Sequence, residues 1–207
     1  MYSFIIFDVD GTLIDTGKAV EESYKRAIFE ETGRNMTGKE LSRVYGIPTA
    51  QAFESLGVSN VERACRRYYD YLFRAFKNVK PFDGVVEMLA VVKGLGLGSG
   101  IVTSRNRDEV ANDASLQGLL KYTGHVICAE DTEKHKPEAE PVTRLLEIAE
   151  RDRSEALYLG DTYYDYMCAR NAEVSFALAA WGATRTEGIE ADYVLHEPKD
   201  LLALCSK

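Results

Sequence analysis

The chain is predicted to take an α/β fold: a parallel sheet covered on both faces by helices, interrupted once by an all-helical insertion. Three features of the sequence predict it. Short apolar runs that stop abruptly at polar residues recur along the chain, and segments of helical spacing separate them. Residues 16–79 break this alternation, being helical nearly throughout without a convincing buried strand.

The first run, residues 3–7, is continuously apolar, as a central strand covered on both faces must be. Runs of the same kind recur at 99–103, 125–128, 156–160 and 174–178. Helical spacing fills 85–92 after Asp83-Gly84, 138–148 after Pro137, and 162–170. A last strand at 193–195 precedes Pro198 and a short closing helix around Leu201, Leu202 and Leu204. Inside the insertion, Ala19, Ser23, Ala27 and Phe29 begin an amphipathic helix that should stop near Gly33. Residues 61–76 supply another, with Tyr and Leu turned inward and Arg63, Arg66 and Arg67 outward. The chain returns at Lys80-Pro81-Phe82-Asp83-Gly84. The expected domains are therefore a core of residues 1–15 and 80–207 and a helical domain of residues 16–79.

Composition excludes several classes of function. With 33 acidic against 25 basic side chains and a net charge of −8, the chain lacks the clustered cations that hold a nucleic-acid backbone. No apolar stretch approaches the roughly 20 residues of a membrane helix. The amino-terminal run enters an acidic cluster without the basic flank of a signal peptide, so a cytoplasmic location is expected. Cys65, Cys128, Cys168 and Cys205 form no CxxC pair or zinc spacing and are expected as free, partly buried thiols. His125, His135 and His196 are too scattered for a metal site.

The chemistry is concentrated in Asp8-Val9-Asp10-Gly11-Thr12-Leu13. This segment follows the first strand, at the sheet edge where open parallel sheets bind ligands. A surface turn uses similar residues, but two carboxylates pointing the same way from an apolar strand are costly unless a cation lies between them. One carboxylate can then attack while its neighbour shuttles protons. Gly11 allows the backbone to depart sharply so that a substrate approaches closely.

Continued by Ile14-Asp15-Thr16, this segment resembles the first motif of haloacid-dehalogenase-type phosphatases. Ile101-Val102-Thr103-Ser104 resembles the family's phosphate-binding second motif, Lys136-Pro137 its third, and Gly160-Asp161 through Asp165 its fourth. Trp181-Gly182 and Ala191-Asp192-Tyr193-Val194 are similar to the phosphoglycolate-phosphatase-like branch. The resemblance implies a Rossmann-like core with an inserted helical cap. It also implies that Asp8 is the nucleophile, that Asp10, held protonated beside other carboxylates, is the general acid and base, and that Thr103 and Lys136 complete the catalytic set. Magnesium would be held by Asp8, the backbone carbonyl of Asp10 and Asp161, with Asp165 supporting its water shell or pairing with Lys136. Substrate would meet Gly11, Thr103, Ser104 and Arg105, and, from the cap, Arg43 and Tyr45.

Three positions depart from the family pattern. Ala139 stands where a second proline is usual after Lys136-Pro137, Ser104-Arg105 replaces a common Asn-Lys, and Glu173 occupies a usual glycine position. The function implied is a magnesium-dependent phosphatase of a small, phosphoglycolate-like phosphorylated metabolite, monomeric or homodimeric. The alternatives are a beta-phosphoglucomutase-like phosphotransferase, an inorganic pyrophosphatase or a non-catalytic phosphate-binding protein. The Gly-Asp-x-x-x-Asp form at 160–165 favours hydrolysis over the mutase.

Overall fold

The computed structural model describes residues 2–76 and 78–205. Its first strand, β1 (Phe4–Phe7), is buried at all four positions, as a continuous apolar run demands. The other strands are β2 (Gly98–Val102), β3 (His125–Ile127), β4 (Ala156–Gly160), β5 (Ser175–Ala179) and β6 (Tyr193–Leu195). They form one sheet in the order β3-β2-β1-β4-β5-β6, and every pairing is parallel. Each strand lies within a single residue of its expected place at either end.

Alternation along β1 sends its side chains into two cores. Ile5 and Phe7 join Val85, Met88, Leu89 and Val92 on one face, while Phe4 and Ile6 join Val142, Leu145, Cys168 and Ala169 on the other. Helices α1 (Gly17–Thr32), α2 (Gly38–Leu41), α3 (Thr49–Ser55) and α4 (Val61–Phe76) follow β1. Next comes α5 (Val85–Gly94), which supplies the four apolar residues packed on Ile5 and Phe7. Then α6 (Arg107–Asn112) and α7 (Ala114–Leu120) follow β2. The opposite face is covered by α8 (Glu140–Ala149) and α9 (Tyr163–Asn171). The closing turn at Pro198–Leu204 is a 3₁₀ helix that buries Leu201.

The four helices between β1 and α5 pack mainly through α1 and α4. On α4 the buried residues Ala64, Tyr68, Leu72 and Phe76 recur every fourth position, so one stripe faces inward. On α1 the buried residues are Ser23, Tyr24, Ala27 and Ile28, whereas Phe29 is 53% exposed. The expected place of Phe29 on the inner face is thereby corrected. Two positions beyond Ala27 is about 200° around a helix, so Phe29 points away and Ile28 packs instead. Tyr24 and Tyr68 stack with ring centroids 4.4 Å apart. Arg63 donates from Nε to Glu31 at 2.8 Å, and Arg67 pairs with Glu30 and Glu31. Arg63 and Arg67 of α4 are thus neutralised by α1, and Arg66 pairs with Glu62 of α4 itself.

Two chain crossings join these helices to the sheet, and they run side by side. Asp15 N–H donates to the Lys80 carbonyl at 2.9 Å, and Phe82 N–H donates to Leu13 at 3.1 Å. Glu173 has φ +57° just past α9, the left-handed conformation that a glycine takes without strain. That explains the glycine expected there. The four cysteines are free, with Cys128 and Cys168 buried. Among the described residues no helix is long and apolar enough to cross a membrane.

Candidate active site

Strands β2, β1 and β4 lie side by side, with Phe7 registered against both Ile101 and Leu159. The residues that follow them, Asp8, Thr103 and Asp161, therefore leave the sheet at one edge, where the strand order turns back on itself. The chain after Asp8 curls tightly: Leu13 and Ile14 N–H both donate to the Val9 carbonyl at 2.9 Å. Gly11 has φ +82°, and a Cβ there would lie 2.2 Å from Asp161 Oδ2. Gly182 supports the loop from the far side, since its Cβ would meet the Gly11 carbonyl oxygen at 1.7 Å. Trp181 Nε1 donates to the Thr12 carbonyl at 2.9 Å.

Lys136 Nζ donates to Asp8 Oδ1 and to Asp165 Oδ1, each at 2.6 Å, and all three side chains are buried. Asp165 is held independently. It forms a reciprocal cap with Thr162 at the start of α9, accepting the Thr162 N–H at 3.0 Å, and also accepts Tyr158 Oη–H at 3.0 Å. Among the described residues Asp161 receives one hydrogen bond, from the Thr12 hydroxyl at 3.2 Å. One ammonium thus bridges two buried carboxylates, and Asp161 lies beside them without a direct share of it. Burial, together with Asp165 and Asp10 and against the pull of Lys136, pushes Asp8 up to about 7. Burial and the charges of Asp8 and Asp165 raise Asp161 well above the carboxylate range. Burial works against the charge of Lys136, but Asp165 and Asp8 outweigh it and its pKa rises.

This donor set fits a hard cation. Asp8, Asp161 and Asp165 each offer an oxygen, and these atoms lie within 4.8 Å of one another. The all-oxygen chemistry, the excess negative charge and the nearly unpartnered Asp161 are what a divalent ion of this class requires.

Asp10 is set differently. Its Oδ1 accepts Thr16 Oγ1–H at 2.7 Å and an Arg105 guanidinium N–H at 2.8 Å, and its Oδ2 accepts Arg105 Nε–H at 2.8 Å. Burial opposes ionisation, but the Arg105 charge and these bonds outweigh it and hold Asp10 below its ordinary value. The expectation that Asp10 is protonated beside other carboxylates is therefore corrected: a buried, bidentate guanidinium faces it. As a metal donor Asp10 has its backbone carbonyl to offer, because the side chain is engaged elsewhere.

Arg105 was expected to meet substrate. It lines the cleft, but it is buried, its second arm donates to Asp113 at 2.8 Å, and it lies over the Phe76 ring at 4.6 Å. Its charge is committed within the protein, so it is no free anion receptor. Thr103 is buried, and its hydroxyl accepts the Arg105 N–H at 3.2 Å. Ser104 Oγ donates to the Gly46 carbonyl at 2.8 Å, tying the edge of the sheet to the helical segment. Tyr45 lines the cleft that contains Asp8, Asp10 and Gly11. Arg43 does not: it is exposed and lines a neighbouring hollow with Tyr163 and Tyr164.

Sequence reasoning missed Thr16, Glu109, Asp113 and Tyr158. Glu109 is buried against the cleft and forms a reciprocal cap with Asn106 at the start of α6. The Asn-x-x-Glu spacing was the available signal. Tyr158 carried none, because an aromatic residue inside an apolar strand reads as core.

The sequence model of the haloacid dehalogenase-like hydrolases matches residues 5–179. Pyrophosphatase PpaX of Bacillus velezensis is 31% identical over 207 residues, spanning 96% of this chain and 94% of that protein. A crystal structure from Lactobacillus plantarum, provisionally named a phosphoglycolate phosphatase, superposes with a TM-score of 0.90 at 25% identity, covering 99% of this chain and all of that one. A hydrolase from Pseudomonas syringae shares the fold, with a TM-score of 0.87 at 22% identity over 99% of this chain and 97% of its own.

Proposed function

The chain belongs to the haloacid dehalogenase-like hydrolase family, and on that premise we propose that it is a magnesium-dependent phosphatase of a small phosphorylated metabolite. The observation that carries this reading is the Asp8–Lys136–Asp165 bridge beside Asp161, a buried carboxylate at the sheet edge whose charge is shared with one ammonium. Two in-line displacements follow from it. In the first, a carboxylate oxygen of Asp8 bonds to phosphorus, the ester P–O bond breaks, and the leaving oxygen takes a proton from Asp10 and departs as the alcohol, so that an aspartyl phosphate remains. In the second, water bonds to phosphorus, the P–O bond to Asp8 breaks, and phosphate departs.

Asp10 handles the protons of both steps. As it stands, ionised against Arg105 and Thr16, it is ready to accept a proton from the attacking water. Donation to the leaving oxygen in the first step requires the Arg105 bonds to open, so protonation is the costly half of its cycle. Lys136 orients Asp8 and offsets charge on the transferring group. Thr103 presents its hydroxyl at the end of β2 to a phosphoryl oxygen. Magnesium, held by Asp8, Asp161 and the Asp10 carbonyl with Asp165 behind them, would supply the positive charge that lets a carboxylate approach a phosphoryl dianion. Residues 16–79 act as a cap on a core of 1–15 and 80–207, excluding water when substrate binds. The reading includes a cytoplasmic location and a monomer or homodimer. The PpaX relatives favour a second reading, inorganic pyrophosphate as the substrate.

Hydrolysis of an aryl phosphate tests the reading. Turnover is expected with magnesium and not with chelator, and Asp10→Asn should lower kcat by roughly 10²–10⁴-fold. Metal-independent turnover would remove the proposal.

Metal binding also has a readout apart from activity. Asp8 is raised from 3.8 to about 7, so the folded state keeps its proton longer than the unfolded state does. The resulting stability is complete below the unfolded value and lost as pH rises through about 7. Metal-free protein should therefore lose stability between about pH 4 and pH 7. Magnesium at a hundred times its Kd should restore about 2.7 kcal/mol at neutral pH, and Asp161→Asn should abolish that gain in thermal melts.

A further inference from the structure

Which alcohol leaves the phosphate is decided where Asp10 faces the helical segment. We infer that the site selects phosphomonoesters whose leaving group carries no negative charge and offers a hydroxyl or ammonium donor to Glu109. The inference rests on the phosphatase reading, because the leaving oxygen must come within reach of Asp10 and its alcohol must then occupy the cleft that Asp10 lines. That cleft measures about 100 Å³, small beside the ~300–1,000 Å³ of pockets for drug-sized ligands, so the alcohol is small.

The helical side of the cleft is formed by Val20, Tyr24, Tyr45, Ile47 and Tyr68, none of them cationic. Arg105 is the one cation among the described residues that line it, and its guanidinium is buried between Asp10 and Asp113. A second phosphate or a carboxylate on the leaving group would therefore enter beside Asp10 and Glu109 with no positive charge to receive it. Arg43 and Arg185 line the neighbouring hollow, which adjoins the cleft through Tyr45, Asp161, Thr162 and Thr184 but contains neither Asp8 nor Asp10, and Arg185 is paired with Glu187 at 3.2 Å.

Glu109 is 5% exposed. Its carboxylate accepts one bond, the Asn106 N–H at 2.8 Å on Oε2, and the other oxygen has no donor among the described residues. Glu109 lines the cleft, so that second oxygen is open to a donor on the ligand. Burial pushes the Glu109 carboxyl up to about 7. Tyr45 lines the same cleft, and its hydroxyl is buried without a partner among the described residues. Hydroxyl and ammonium donors share this chemistry, and the tyrosine ring faces add attraction for an ammonium.

The test compares kcat/KM, by phosphate release with magnesium, for ethanolamine phosphate, glycerol phosphate, phosphoglycolate and inorganic pyrophosphate, with an aryl phosphate as control. The better of the first two should exceed both anionic leaving groups by roughly 10–100-fold, the range of one charge-assisted hydrogen bond, and the order of the first two tells ammonium from hydroxyl. Glu109→Gln, which keeps an oxygen to cap Asn106, should collapse that ratio towards one. A ratio of rates within one preparation does not depend on how much of the variant folds. Preference for phosphoglycolate or pyrophosphate, an unchanged ratio in Glu109→Gln, or turnover of the aryl phosphate alone overturns the inference and leaves the phosphatase reading standing. Failure to hydrolyse the aryl phosphate as well overturns both.

Discussion

Asp8→Asn should lower kcat by on the order of 10⁴–10⁶-fold, the scale seen when a covalent nucleophile is removed, while the protein stays folded. The amide fills the same space, so packing is unchanged, but its oxygen no longer attacks phosphorus. Stability should hold or rise, because Asp8 is one of three clustered buried carboxylates, two of which share Lys136. Removing one charge leaves Lys136 paired with Asp165 and relieves the crowding that raises Asp161. Steady-state turnover of an aryl phosphate and a thermal melt at neutral pH check the two halves. Lost activity with an unchanged melt assigns Asp8 to chemistry, whereas loss of both would make it structural.

Lys136→Met should do the reverse to the fold. It leaves Asp8 and Asp165 facing each other in a buried site, and breaking a buried pair by removing one partner costs about 3–5 kcal/mol. Urea denaturation at neutral pH measures the loss. It should shrink at acid pH, where the carboxylates take up protons, and adding Asp165→Asn should return part of it. Turnover should also fall, since Asp8 loses the group that orients it. A Lys136→Met protein as stable as the wild type at neutral pH would mean that Asp8 and Asp165 do not depend on that ammonium.

These effects follow from parts of the molecule that differ in how well they can be read from sequence. The strands were legible because a buried parallel strand has little choice but continuous apolar residues, as at Phe4–Phe7 and Ala156–Gly160. The positions of Asp8, Thr103 and Asp161 were legible for the same reason: strands that end together bring the next residue of each to one edge. Lys136 was found through resemblance, since nothing local distinguishes it from a solvated loop lysine. The charge state of Asp10 was not legible. It depends on Arg105, 95 positions away along the chain, whose side chain turns inward to Asp113 when it could equally have faced a ligand. Phe29 was misplaced for a related reason, because a helix phase error of a residue or two moves a side chain from the inner face to solvent.

Acid-quenching the wild-type enzyme during turnover of a phosphoryl-labelled aryl ester, then digesting the chain, measures the central claim directly. Label should appear on the peptide that carries Asp8, decay when unlabelled ester is added before the quench, and be missing from Asp8→Asn. Label on another residue, or full turnover with no labelled protein at any time, would contradict an account in which Asp8 carries the phosphoryl group.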